Sequence, residues 1–537
     1  MKKISILSIA LICVLALGTF VACDTAGQQT PETAPPAPQA TAPAQATPAT
    51  PAAPVDVPQA QGPSGSITIA IPTEPVSLIP ARHNSTPTIP FMFLTHNRLF
   101  QQHHETFEPI PYLVSEWQAL SDTLFEFTIH EGIMFHNGEE MTAEDVVASW
   151  YFVRETPDAR GVHLSAVSIE QTGSHTVVVD TGEPNATFLV DLASHGNSIL
   201  PASLINSGHD FAVNPVGSGP FIFEEWRAGD HLRYTAFPYY WNTDRVAYIA
   251  ELTYRVIPEG ASRTIALQTG EVDFIEAVAL PDVGRLQDDA NFTISMIDSP
   301  ALNIINLNHQ TPQFSSVYAR RAIQMAIDTE VIVAAAYDGF GLPTRSQFPR
   351  VFAGSTYNGV MPFDPEGAKA LLAEHNIDPS SLDFEIIACN EGFRRAAEIV
   401  QAQLSEIGIS VSIIQMDAAA RFSTVTEGNF EAAFGPWGAG WLESILRAQF
   451  VGEGGLVSRN HMNNPELSQL LLSGFATIDF DSRIAIYEEA SRVANEYVVL
   501  IPSHLDVTIR AFNANITAPE LSGLSTIWNV NTIRWNN

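Results

Sequence analysis

The stretch Asp383–Gln415 reads DFEIIACNEGFRRAAEIVQAQLSEIGISVSIIQ, and the changes of period within it decide the fold. Phe384 to Cys389 is a short, nearly all-apolar run, the pattern of a strand covered on both faces. From Arg394 to Ile407 the apolar residues recur every three or four positions, which predicts an amphipathic helix stopped by Gly408. Ile409, Val411 and Ile413 then alternate with other residues as a second strand does. Strand, helix and strand in this order form a βαβ unit, whose two strands run parallel because the helix carries the chain back to its starting end. The expected class is α/β.

The flanking sequence agrees. Ile67, Ile69 and Ile71 alternate in GSITIAIP before Pro72, and Phe125, Phe127 and Ile129 alternate in FEFTIH, so both segments are expected strands. Thr142 opens TAEDVVASWYFVRE with Asp145 in capping-box position, and a stripe of Val146, Val147, Trp150, Tyr151 and Arg154 is expected to pack. Asp364 caps a helix that starts with Pro365 in DPEGAKALLAEHNI. The tail after Asp506, VTIRAFNANIT, reads as a strand able to return and pair with an early element. No internal repeat is visible.

With 537 residues, 45% hydrophobic and 16% charged, the chain has enough apolar material for several cores. Its formal net charge of -33 repels phosphate backbones and excludes a nucleic-acid partner. Lys2, Lys3 and Lys369 are the only lysines; the other basic residues are arginines. Three cysteines give no disulfide framework: Cys13 and Cys23 belong to the leader, and Cys389 closes an apolar run as an expected buried, inert thiol.

Lys2 and Lys3 precede the apolar run ISILSIALICVLALG and then Phe20-Val21-Ala22-Cys23, the layout of a secretory signal over residues 1–22. Ala22 before Cys23 resembles a lipobox, which makes Cys23 the expected lipidation site; the alternative is an uncleaved membrane anchor. Both place the body outside the cytoplasm, lipid-anchored to the cell membrane in the first case. Residues 23–64 are mostly Pro, Ala, Thr and Gln and read as a tether.

The chemistry of common enzymes is missing. There is no HExxH and no GxSxG, and Lys369 follows Ala368, so there is no Walker lysine. His103-His104-Glu105 is the one metal-like cluster, and a usable site needs more converging ligands than it offers. No metal, no cofactor and no catalytic residue is expected.

Separated segments resemble the family 5 extracellular solute-binding proteins, the peptide- and nickel-binding components of ABC importers. They are EGIMFHNGEEMTAEDVVASW (131–150), NPVGSGPFIFEEWRAGD (214–230) with PYYWN (238–242), ALQTGEVDF (266–274), and ARRAIQMAID (319–328) after the NLN at 306–308. DPEGAKALL (364–372), LSEIGISV (404–411), FGPWGAGW (434–441) and NNPEL (463–467) follow in family order. Most of these are scaffold features, glycines and core aromatics, that mark a fold rather than a ligand.

The resemblance implies a two-lobed, type II periplasmic-binding-protein-like α/β fold with an extra subdomain on lobe I. Lobe I would comprise residues 66–82, 215–300 and 506–537, the extra subdomain 83–214, and lobe II 301–505. The ligand would lie between the lobes. The family's function implies capture of an oligopeptide, or of another solute such as a glycoside, opine or metal chelate, for permease subunits driven by separate ATPase subunits. A surface sensor or chaperone on the same scaffold is the alternative, and a secreted hydrolase would differ from both by turnover. Peptide-binding relatives contact ligand around the segment at Trp437, many through an aspartate three residues on. Gly440 stands there, with Glu443 the nearest acid. Trp437, Gly438, Ala439, Gly440, Trp441 and Glu443 are therefore candidate ligand residues, with the two tryptophans either stacking on ligand or packing within the lobe. Asn84, Ser85, Thr86, Phe93, His96 and Asn97 are the candidates from the opposite wall.

Overall fold

In the computed structural model, Phe384–Ala388 and Val411–Gln415 are parallel neighbours in register Phe384↔Val411, joined by the helix Glu391–Ser405. The helix starts three residues before the expected Arg394, because the Asn390 side chain accepts a hydrogen bond from the Phe393 amide at 2.8 Å. It buries Phe393, Ala396, Ala397, Val400 and Leu404. The structure describes residues 62–80, 88–104, 108–156, 166–350, 352–437, 442–452, 458–523 and 529–536, the side chains of 437 and 442–445 excepted. The leader and tether, with Cys23, lie outside the described residues.

One sheet runs through the body. Its order is Val411–Gln415, Phe384–Ala388, Ala432–Trp437, Phe292–Leu307, Leu500–Asn513, Phe274–Ile275, Ser66–Ile71, Glu251–Val256, His231–Ala236 and Phe221–Arg227. The two central members are long antiparallel strands that serve both halves, and we call them the crossing strands. Their pairing runs from Phe292↔Asn513 to Asp298↔Val507, breaks, and resumes at Leu302↔Leu505 with a further shift after Asn303. Such interruptions bend and twist a strand pair. The tail strand is thus longer than expected, beginning at Leu500. It reaches the early strand Ser66–Ile71 only through Phe274–Ile275.

The apolar residues divide accordingly. One cluster gathers Ile67, Ile69, Phe221, Leu252 and Phe512 on the half built around the first strand. Another gathers Ile305, Phe384, Ile386, Val400 and Phe434 around the βαβ unit. A four-stranded antiparallel sheet, Val114–Ala119, Leu124–Ile129, Thr176–Asp180 and Ser168–Gln171, has its own core between Leu99 and Ile199. There the Thr142 capping box forms, with the Thr142 amide 2.8 Å or less from its acceptor: it donates to Asp145 Oδ2 at 2.7 Å. Asp145 Oδ1 also accepts from the Ala202 amide at 2.8 Å, so one carboxylate joins two helices. The expected packing stripe is rotated: Val146, Ser149, Trp150 and Val153 are buried, while Tyr151 is exposed.

The glycines of the GSG segment at 217–219 are needed for close approach. A Cβ on Gly217 would stand 2.2 Å from the Thr95 carbonyl oxygen, and one on Gly219 2.3 Å from that of Leu94. Both have backbone for a neighbour, which cannot rotate aside.

Candidate functional site

In open α/β sheets ligands bind beyond the carboxyl ends of parallel strands, where helix N-termini and turns leave backbone groups unspent. Phe384–Ala388 ends in Cys389 and the Asn390 cap, and its parallel neighbour Ala432–Trp437 ends on the same side. Backbone register puts Trp437 opposite Leu302, which is opposite Leu505. The carboxyl edge of this half therefore opens at the level where the crossing strands break register. Segments far apart in sequence meet there.

Asn303 and His504 face each other across the crossing strands. The Asn303 amide donates to Asp506 Oδ1 at 2.6 Å and lies 3.1 Å from His504 Nε2. His504 is wholly buried, and burial pushes its pKa down to about 4, so its ring is neutral. Its 3.7 Å approach to Asp506 is accordingly not an ion pair. The Asp506 carboxylate is crowded by protein, and burial pushes its pKa up to about 6 against the lowering effect of the Asn303 hydrogen bond. Yet 46% of its side-chain surface is open. This partly open side of Asp506, beside Asn303 and His504, is called the recess.

Tyr337, just past the helix Thr329–Ala336, stacks on His504 with ring centroids 4.1 Å apart. Among the described residues its buried hydroxyl has no hydrogen-bond partner. Burial raises its pKa, the charge of Asp506 raises it further, and the charge of Arg395 opposes both. Arg395 comes from the first turn and a half of the βαβ helix. Its neighbour Arg394 is held by Glu391 and Glu398, but Arg395 has a buried Nε without a partner and no ion pair among the described residues. Behind the Trp437 strand, Arg421 donates to the Phe434 carbonyl at 2.5 Å and to Asn306 Oδ1 at 3.0 Å. Gly435 leaves room for that guanidinium: a Cβ there would stand 1.8 Å from Nη2.

The residues expected from sequence fare unevenly. Asn84, Ser85, Thr86, Gly438, Ala439, Gly440 and Trp441 lie outside the described residues. Trp437 is placed by its backbone at the crossing, and Glu443 by its backbone in the helix Leu442–Phe450. Phe93 is half-buried beneath the Arg98 guanidinium, 3.6 Å from its ring centroid. His96 and Asn97 are both packed in the interior. His96 has no exposed surface, its Nδ1 is 2.7 Å from Thr95 Oγ1, and burial pushes its pKa down to about 3. Asn97 donates to the Ser218 carbonyl at 2.7 Å, and its own carbonyl accepts from Ile199. The glycines at 217 and 219 let the chain close over this pair.

Cys389 is half-buried at the strand end, and its environment touches the site. His103 and His104 stack ring on ring at 4.8 Å; Glu105 lies outside the described residues. Among the described residues no group of three or more His, Cys, Asp or Glu is placed to hold a metal ion. Among them, too, no helix is long and apolar enough to cross a membrane. Sequence reading missed Asn303, Tyr337, Arg395 and Asp506. The available signal was small: Asp506 is an acid in the middle of an apolar strand, LIPSHLDVTI.

Comparison with known proteins agrees with this architecture. The chain is 25% identical over 453 residues to heme-binding protein A of Haemophilus influenzae, covering 76% of this chain and 81% of that protein. It is 25% identical over 454 residues to the dipeptide-binding protein of Escherichia coli, covering 77% and 84%. The solved structure of HbpA2 from Haemophilus parasuis superposes with a TM-score of 0.77 at 23% identity, over 88% of this chain and all of that one. Residues 108–446 match the family described as bacterial extracellular solute-binding proteins, family 5 middle, and the chain belongs to that family.

Proposed function

We propose that this protein captures short peptides outside the cell and delivers them to an ABC importer whose permease and ATPase are separate chains. Family membership and the likeness to a dipeptide-binding protein support the transport role. The observation that carries the choice of ligand is Arg395. The chain has 59 acidic residues against 26 basic ones, so an arginine has every chance of finding an acid. Arg395 is half-buried at the carboxyl edge of the sheet and pairs with none of them among the described residues. A half-buried guanidinium without an ion pair keeps its fork of donors for an incoming group, and a peptide carboxylate fits it in bidentate geometry. In this reading the crossing strands serve as the hinge between a lobe of residues up to 300 and from 506 and a lobe of 301–505, and the register break after Asp298 supports that division.

A peptide at ~100 times its dissociation constant should stabilise the folded state by about 2.7 kcal/mol and raise the melting midpoint by a few degrees. Thermal denaturation with di- to pentapeptides, sugars, hemin and chelated nickel tests this. A shift with a non-peptide alone, or with nothing, contradicts the reading, and accumulating hydrolysis products would make the protein an enzyme.

The proposal includes anchoring through Cys23. Two acyl chains hold a protein on a membrane where one does so only marginally. Cys23→Ser should block processing or release the body into the medium; a variant that stays membrane-bound at the processed size refutes the anchor.

A further inference from the structure

We infer that Asp506 is the seat for the ligand's ammonium group, so that the protein selects solutes with a free amine. This rests on the peptide reading above and adds the second pole of the ligand.

Among the described residues, the groups in contact with Asp506 bring it no charge. From the first crossing strand, Asn303 offers one amide hydrogen bond and no charge. On its own strand His504 is neutral, with Nδ1 3.0 Å from Ser503 Oγ and Nε2 facing the Asn303 amide. From the helix packed beside it, Tyr337 contributes a neutral phenol. No lysine or arginine forms an ion pair with Asp506 among the described residues, although surface carboxylates such as Glu225, Glu391 and Glu489 each hold an arginine. A carboxylate that is crowded, open on one side and without a cation is stabilised by whatever cation enters the recess. Tyr337 feels the charges of both Asp506 and Arg395, and among the described residues its hydroxyl has no hydrogen-bond partner. An acid on one side and a base on the other suit a zwitterion, the form of a short peptide with both ends free. Gly440 has no charge to contribute, and the hinge position of Asp506 lets lobe closure bury the pair it forms.

The raised pKa of Asp506 adds a pH dependence whose sign is fixed. An ammonium binds the ionised carboxylate. Affinity should therefore be full above about pH 7 and decline as the pH falls through about 6, because the proton and the ammonium compete for one group. His504, neutral down to about 4, does not contribute in that window.

The test is isothermal titration of the full mature protein with a tripeptide and with its N-acetylated form, for wild type and Asp506→Asn. Wild type should prefer the free amine by about thirtyfold or more, a preference that weakens at pH 5. Asp506→Asn should bind both forms alike, at the level of wild type with the acetylated peptide. Its unchanged or higher melting midpoint would show that it folds, since the amide removes a desolvated charge without changing shape. If the variant keeps the preference, and Glu443→Gln loses it, the ammonium seat is not Asp506. If wild type binds neither form, the peptide reading itself has failed, and this assignment falls with it.

Discussion

Replacing Arg320 by methionine should destabilise the protein by about 4 kcal/mol or more, the largest single-residue effect expected in the fold. Arg320 is wholly buried in the helix Val317–Ala326. Its guanidinium donates to the carbonyls of Val498 at 2.8 Å, Tyr497 at 2.9 Å, Phe314 at 2.8 Å and Ser315 at 3.3 Å. It also lies over the Tyr497 ring, 4.4 Å from the centroid. Each buried acceptor left without a donor costs about 1–3 kcal/mol. Methionine fills the volume and satisfies none of them, while removal of a desolvated cation gives part of the loss back; the Val498 and Phe314 carbonyls, buried, and those of Tyr497 and Ser315, part-buried, outweigh that gain together. The Tyr497 and Val498 carbonyls end the helix Phe480–Tyr497, just before the second crossing strand begins at Leu500, and those of Phe314 and Ser315 end the short helix Pro312–Ser315. Urea unfolding measures the change, and a midpoint shift under about 1 kcal/mol would show that water replaces the guanidinium.

For Arg395→Gln the expected result is opposite in kind: a large loss of affinity with no loss of stability. A charged hydrogen bond contributes roughly 2 kcal/mol, or about thirtyfold in dissociation constant. Arg395 makes none among the described residues, so its removal is expected to leave the fold intact. The loss should vanish for a peptide amidated at its C-terminus, which offers no carboxylate to wild type either. Equal affinity of the variant for the free acid would show that Arg395 does not touch the ligand. A collapse of stability would show that it serves the scaffold.

Much of the scaffold was legible because local patterns and tertiary demands agree. The βαβ unit at 383–415, the capping box at Thr142 and the Asp364–Pro365 helix start each encode their element within a few residues. The Asp364 side chain accepts from the Gly367 amide at 2.8 Å, the cap that its position before Pro365 suggests. The recess was not legible. Asn303, Tyr337, Arg395 and Asp506 are separated by up to two hundred residues, and only the order of strands in the sheet brings them together. The burial of His96 and Asn97 has a related long-range origin. They are candidates because relatives line the pocket there, and the close approach of Gly217 and Gly219, more than a hundred positions away, packs them inside.

The most direct test of the account is the identity of what the protein carries. The mature chain, purified without a denaturing step, is gently unfolded and the released small molecules are weighed by mass spectrometry. The account predicts short peptides with free amino and carboxyl ends, about one per protein molecule, absent from Asp506→Asn and Arg395→Gln purified alongside. Recovery of heme, a sugar or another solute lacking both charges, retained equally by the two variants, would contradict it.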